Sequence, residues 1–244
     1  MRIKVINPNT TWSMTRTIEA AARASVSSDV EIEAVSPTMG PVSIESHADE
    51  ALAAVGVMDE VRKGEADGCD GYVLACFGDP GLHAARELAS GPVIGIAEGA
   101  FHAASFLGRS FAIVTTLGRT LGRARDLVDE YGFTRACVAY RACEVPVLGL
   151  DEDPESAYAA LRAECERTIA DASPDAIVLG CAGMAGMCAR LQSELGLPVI
   201  DGVAAAASLV EAMVHIGAKT SKREEFATPP AKEVVGLLSP FTRD

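Results

Sequence analysis

The chain has 244 residues, 49% of them hydrophobic and 23% charged, and a formal net charge of −13. This is enough apolar material to bury a sizeable core in one domain or two small ones, and it excludes a disordered, collagen-like or disulfide-scaffold protein. A surface this acidic repels phosphate backbones and anionic lipid, so neither nucleic acid nor a membrane is an expected partner. The 7 cysteines form no CxxC pair and lack zinc-type spacing with the 4 histidines, so no metal is expected. Free thiols in a reducing cytoplasm are the simplest reading. The opening Met1–Asn9 reads as a short strand and not as a signal peptide. The apolar segment Val199–Gly217 carries Asp201, Glu211 and His215 and reads as a buried amphipathic helix, not a membrane span.

Taken in chain order, short β-branched runs alternate with longer Ala-, Glu- and Arg-rich stretches. The pattern predicts strand Ile3–Ile6, helix Thr15–Ala24, strand Glu31–Val35, helix Ser46–Lys63, strand Gly71–Ala75, helix Gly81–Ala89 and strand Val93–Ile96. After a joining stretch near Ala97–Arg109 it predicts strand Phe111–Thr115, helix Arg119–Tyr131, strand Arg135–Arg141 and helix Pro154–Ala172. Strand Ala176–Gly180, helix Ala185–Leu195, strand Val199–Ile200 and helix Val203–Ile216 complete the series. Continuously apolar strands alternating with helices mean parallel sheets covered on both faces, an α/β fold. In such sheets the ligand crevice lies at the carboxyl ends of the strands. Four strand ends therefore define the candidate site: Asn7-Pro8-Asn9-Thr10, Cys76-Phe77-Gly78, Thr115-Thr116 and Cys181-Ala182-Gly183.

The chain also repeats itself. Val73-Leu74-Ala75-Cys76-Phe77-Gly78 aligns with Val178-Leu179-Gly180-Cys181-Ala182-Gly183, and Asp70, Gly81 and Ala84 align with Asp175, Gly186 and Ala189. Ile3–Asn7 corresponds likewise to Phe111–Thr115. The expected architecture is two pseudo-symmetric lobes, each a parallel sheet flanked by helices, with the site at their interface. Residues 1–97 form the first lobe, 98–217 the second, and the tail 218–244 packs back on the first.

In a duplicated fold, equivalent positions can face one ligand from opposite sides. Cys76 and Cys181 are equivalent, and such a pair suits stereoinversion: one group removes a proton from one face of a carbon acid and the other delivers a proton to the opposite face. A thiol near ~8.5 can serve as either acid or base once positive local potential lowers it. The N–H groups of each turn, with Gly78 and Gly183 allowing close backbone approach, can stabilise a thiolate and a carbonyl oxygen that gains charge. Asn9, Thr10, Thr115 and Thr116 offer hydrogen bonds to a polar substrate. No Lys or Arg lies within the four motifs, which favours a neutral cyclic imide over a charged amino acid.

Bland readings stand beside these. A single buried cysteine is usually a small hydrophobe, and Cys69, Cys137, Cys143, Cys165 and Cys188 are read as filler. Asn-Pro-Asn is as readily a turn before a helix cap as a binding motif. Glu98 either lines the pocket or is a solvated carboxylate, and His83 sits on a helix surface.

Ile6-Asn7-Pro8-Asn9-Thr10, Ala75-Cys76-Phe77 with Asp79-Pro80-Gly81-Leu82, Val114-Thr115-Thr116-Leu117 and Val178-Leu179-Gly180-Cys181-Ala182-Gly183-Met184 together resemble the aspartate/glutamate/hydantoin racemase superfamily, and within it the hydantoin racemases. Pro146-Val147-Leu148 and Thr220-Ser221-Lys222 extend the resemblance over nearly the whole chain. It implies a racemase that needs no cofactor, with Cys76 and Cys181 as opposed acid/base groups acting on 5-monosubstituted hydantoins, which are cyclic ureides. It implies substrate contacts at Asn9, Phe77, Thr115, Thr116, Ala182, Gly183 and Met184, with Phe77 and Met184 against a hydrophobic C5 substituent. It also implies a homo-oligomer that acts alongside a hydantoinase and a carbamoylase. The alternatives are an allantoin racemase, an amino-acid racemase of the aspartate or glutamate type, and a non-catalytic two-lobed binding protein.

Overall fold

In the computed structural model, which describes residues 1–243, strands and helices alternate along the chain. Asp244, the last residue of the expected tail, lies outside the described residues. Strands β1 (Arg2–Ile6), β2 (Glu31–Val35), β3 (Gly71–Leu74) and β4 (Val93–Gly95) form one sheet in the order β2-β1-β3-β4. Strands β5 (Phe111–Thr115), β6 (Cys137–Ala142), β7 (Ala176–Leu179) and β8 (Val199–Ile200) form a second in the order β6-β5-β7-β8. Every pairing is parallel. The second order is the first with every strand advanced by one half-chain, so the repeat read from the sequence is a repeat of topology.

The pleat divides each strand between two cores. Ile3, Val5 and Val73 of the first sheet and Phe111, Ile113 and Val178 of the second belong to one continuous core. Their strand neighbours point the other way. Ile6, Tyr72 and Leu74 pack with Val57, Val61 and Leu82 outside the first sheet, and Ala112, Val114, Ile177 and Leu179 pack with Leu161 and Leu191 outside the second. Both faces of both sheets are thus covered, which is why the strands read as unbroken apolar runs.

The outer layers are α2 (His47–Ala66) and α3 (Leu82–Leu88) on the first sheet, and α7 (Pro154–Ala172) and α8 (Cys188–Leu195) on the second. A one-turn α6 (Gly149–Glu152) precedes α7. The middle layer holds α1 (Trp12–Ser25), α4 (Ile96–Leu107), α5 (Leu121–Glu130) and α9 (Gly202–His215). Helix α4 departs from the expectation, because the stretch treated as a join is a 12-residue helix. Its polar residues Glu98, His102 and Ser105 fall on one face at helical spacing, apart from a buried face of Ile96, Ala97, Ala100, Phe101 and Ala104, so a helical period is present but is masked by the apolar, exposed Phe106 and Leu107 at its end. Helix α4 leaves the first sheet and packs on β7 and β8, whereas α9 leaves the second and packs on β1, β3 and β4. The two helices cross at glycines: a Cβ on Gly99 would lie 3.0 Å from Ala206 Cα, and one on Gly202 would lie 2.5 Å from the Ile96 carbonyl oxygen. Gly99 therefore serves this crossing.

The tail runs back over the first half of the chain. Thr220 N–H donates to the Ser90 carbonyl at 3.2 Å, and the Lys222 ammonium donates to the carbonyls of Arg86 and Glu87 at 2.7 and 2.8 Å. Among the described residues no helix is long and apolar enough to cross a membrane.

Candidate active site

In each sheet the chain reverses its direction of winding between the first and third strands, β1 and β3 or β5 and β7. The carboxyl ends at such a reversal splay apart and leave a crevice. All four motifs singled out from the sequence leave from these strand ends. They meet in one cavity of about 110 Å³, lined by Asn9, Ala75, Cys76, Phe77, Gly78, Thr115, Thr116, Gly180, Cys181 and Ala182 together with residues from elsewhere.

The two cysteine turns close with the same backbone hydrogen bond, although the second continues into a 3-10 helix, Ala182–Met187, and the first passes through a left-handed Asp79. Asp79 N–H donates to the Cys76 carbonyl at 2.9 Å, and Met184 N–H donates to the Cys181 carbonyl at 3.1 Å. In both turns the N–H two residues after the cysteine, of Gly78 or Gly183, favours the thiolate. Burial opposes it more strongly. The Cys76 thiol is pushed up to about 12 by burial, with Glu50 and Asp79 adding to the rise. Burial pushes the Cys181 thiol up to about 11, and Glu45 and Asp151 add to it. The lowering expected from positive local potential is not what the cleft produces: burial dominates, and the charges that act on the sulfurs, those of other thiols first (Cys181 on Cys76, Cys143 on Cys181) and then the carboxylates, raise them further. All seven cysteines are free, and Cys76 and Cys181 keep partial exposure.

The remaining predicted residues divide by what they touch. Asn9 lines the cleft, but its carboxamide is committed locally: Oδ1 accepts from Asn7 Nδ2 and from Thr11 N–H, both at 2.9 Å. This is an Asx turn leading into α1, the structural half of the two readings of Asn-Pro-Asn. Thr115 donates its hydroxyl to the Gly180 carbonyl at 2.8 Å and so braces the strand end that carries Cys181. Gly180 makes room for it, since a Cβ there would lie 2.5 Å from Thr115 Cβ. Thr116 is buried in the lining. Phe77 lines the cleft and packs edge-on against Phe101 at 5.7 Å. Gly183 and Met184 lie outside the lining, and Met184 is fully buried in the core behind the second sheet.

Glu98 is tied to Arg86 at 2.5 Å, away from the cleft. His83 pairs with Glu130 at 2.8 Å on the surface.

Several lining residues escaped the sequence reading. Ile44, Glu45, Ser46, His47 and Glu50 come from the β2–α2 loop and the start of α2, and Arg119, Thr120 and Arg123 come from the turn after β5 and the start of α5. These arginines overturn the argument that the site lacks cations. That argument counted only residues inside the four motifs, and the fold brings in others a few positions beyond. One signal was available: the loops after β2 and β6 are both long, and both leave carboxyl strand ends. They touch across the cleft, where Val147 N–H donates to Glu45 Oε1 at 2.9 Å.

Two α/β halves share a cleft at their strand ends and each carries a thiol into it, the arrangement that the resemblance of the sequence to the Asp/Glu/Hydantoin racemase family implies. The chain belongs to that family, whose model matches residues 3–210. It is a racemase, and hence an isomerase. It is 49% identical over 244 residues to a hydantoin racemase of Pseudomonas sp. (strain NS671), covering 100% of this chain and 98% of that one. It is 48% identical over 236 residues to a hydantoin racemase of Rhizobium meliloti, covering 97% and 98%. Among solved structures, an allantoin racemase from Klebsiella pneumoniae superposes with a TM-score of 0.97 at 50% identity, covering 99% of each chain.

Proposed function

We propose that this chain racemises 5-monosubstituted hydantoins by proton transfer at C5 between two opposed sulfurs, Cys76 and Cys181. One observation carries the reading: the two thiols end equivalent strands of two equivalent sheets and line the same cavity. In the forward direction the thiolate of one cysteine takes the C5 proton. The electron pair moves into the adjacent carbonyl as an enolate, and the thiol of the other cysteine gives its proton to the opposite face of C5. The sulfurs have then exchanged roles, and the reverse reaction or proton exchange with solvent restores them. The N–H groups of Gly78 and Gly183 hold the charge on whichever sulfur is ionised. The chemistry calls for no cofactor, because C5 lies between a carbonyl and a ring nitrogen and its carbanion is already stabilised. Ala182 and Thr116 would border the ring, and Phe77 would meet the C5 substituent; Gly183 contributes its N–H, and Met184 backs the turn from the core.

In this reading the lobes are residues 1–97 with the tail from 218, and residues 98–217, with α4 and α9 as their common middle layer. The enzyme works in the cytoplasm as a homo-oligomer, beside a hydantoinase and a carbamoylase that consume the product enantiomer. Light scattering tests the assembly.

The decisive experiment follows the optical activity of each enantiomer of 5-benzylhydantoin in D₂O. Cys76→Ser and Cys181→Ser should each abolish inversion in both directions. Each should still exchange C5–H of one enantiomer, and the two variants should choose opposite enantiomers. Near-normal inversion by both variants would end the two-thiol mechanism.

A second reading, allantoin as substrate, has its own support. The cleft mouth is polar, with Glu45, His47, Glu50, Arg119 and Thr120 around it. The exposed Arg119 is placed to meet a ureido carbonyl. Arg119→Ala should raise KM for allantoin and leave that for benzylhydantoin unchanged. An equal effect on both substrates would count against this reading.

A further inference from the structure

The two cysteine turns share their closing hydrogen bond but are held by different chemistry. We infer that Arg123 is a positioning residue for Cys76 alone, clamping the Gly78 carbonyl from the opposite half of the molecule and so holding the turn in which the Gly78 N–H is directed at the Cys76 sulfur; this rests on Cys76 being a proton-transfer group.

Arg123 stands on α5, which follows the first strand of the second sheet. Its Nε and Nη2 both donate to the Gly78 carbonyl oxygen, at 3.1 and 2.9 Å. Two donors from one planar guanidinium fix both the position and the direction of that carbonyl. Gly78 needs an external restraint, since glycine has the widest backbone freedom of any residue. A Cβ there would lie 2.6 Å from Glu50 Oε1, so a larger residue would displace the Glu50 side chain. Glu50 is held in turn, with its Oε2 3.9 Å from Arg123 Nε. One guanidinium thus does two things for Cys76. It fixes the Gly78–Asp79 peptide, whose Asp79 N–H closes the turn on the Cys76 carbonyl at 2.9 Å and which adjoins the Gly78 N–H that favours the thiolate, and it offsets a carboxylate that disfavours it.

The Cys181 turn has no equivalent cation. Its glycine, Gly183, faces Leu150 Cδ1 and Met14 Cε, at 2.8 and 3.7 Å from where a Cβ would be. Helix α1 packs on this turn as α5 reaches to the other, so the same cross-half brace is apolar on one side and ionic on the other. The apolar packing brings no charge to the Cys181 turn, whereas the ionic brace sets a cation on the turn that serves Cys76.

The test measures alkylation of each cysteine by iodoacetamide, resolved by peptide mass spectrometry, as a function of pH. It needs no substrate, so it stands or falls separately from the racemisation mechanism. In Arg123→Gln, Cys76 labelling at pH 9 should fall about tenfold, the equivalent of about one pKa unit. Cys181 labelling should change less than about twofold. Arg123→Lys, which keeps the charge but not the planar fork, should recover part of the loss. Equal changes at both sulfurs, or none at either, would overturn the inference. If Arg123→Gln does not fold, Arg123→Lys against the parent protein decides: a Cys76-specific slowing supports the clamp and an unchanged Cys76 refutes it. A Cys76-specific shift accompanied by undiminished racemisation would leave the clamp standing and defeat the two-thiol reaction.

Discussion

Ionisation of the two sulfurs is the property on which the proposed chemistry turns, and the structure sets its magnitude. Burial raises Cys181 to about 11 and Cys76 to about 12. At pH 8 that leaves about one thiolate in a thousand at the first and about one in ten thousand at the second, against about one in four for a free thiol near ~8.5. Perturbing pH from 6 to 11 while labelling with iodoacetamide reads these fractions site by site. Labelling of both sulfurs should climb about tenfold per pH unit, without a plateau below pH ~10, and Cys181 should lead Cys76. Cys165, also raised to about 12 but fully buried, is the unlabelled reference in the native protein. Racemisation should climb with pH over the same neutral-to-alkaline range, because in the proposed mechanism the reactive form carries one thiolate. The sign for stability follows from the same shifts. The folded chain keeps protons that the unfolded chain releases, so the stabilising contribution is complete below about pH 9 and is lost as pH rises towards the folded values. A labelling plateau at or below pH 8.5 for either cysteine would refute the reasoning, since it would mean that the turn N–H groups outweigh burial.

Other outcomes follow from particular contacts. Glu50→Gln removes a carboxylate that raises Cys76, so Cys76 labelling at pH 9 should accelerate several-fold while Cys181 holds steady; the same alkylation assay checks it. Gly95→Ala would put a Cβ 2.2 Å from Asp79 Cγ, pushing that carboxylate off the Ala97 and Glu98 N–H groups it caps at 3.2 and 3.1 Å. A loss of ~1–3 kcal/mol is expected in urea melts. Burial lifts Asp79 from 3.8 to about 7, so folding retains a proton there and the residue's contribution falls as pH rises between those values. The stability difference between wild type and Asp79→Asn should therefore shrink from pH 4 to pH 7, and a difference flat in pH would contradict this. Glu45→Ala removes the acceptor for Val147 N–H, and the loops at the cleft mouth should then be cut faster by protease, with KM rising more than kcat falls.

Much of the fold was legible because its signals are local. A buried parallel strand must be apolar along its length, and that pattern located all eight strands to within two residues. Helix ends shifted more, as at α1, where Trp12 and Ser13 precede the expected start at Thr15. The repeat carried more weight than any single motif, since matching segments in matching sheets must emerge at matching strand ends. It therefore brought Cys76 and Cys181 to one cleft. Helix α4 was missed although Glu98, His102 and Ser105 recur at helical spacing, because the stretch lies outside the repeated segments and its many apolar residues mask so short a polar stripe.

What the amino-acid order determined by itself was the alternation of strand and helix, the doubling of the chain and the turns that face the crevice, all of which depend on neighbours a few positions apart. Only the tertiary structure decided the surroundings of those turns. Arg123 reaches Gly78, and Glu45 reaches Val147, across long stretches of chain, because α5 and the β2–α2 loop are delivered to the cleft by sheet order. The ionisation of each sulfur was likewise out of reach of the sequence, since it depends on how completely water is removed and which charges stand nearby, and those are set by packing in three dimensions.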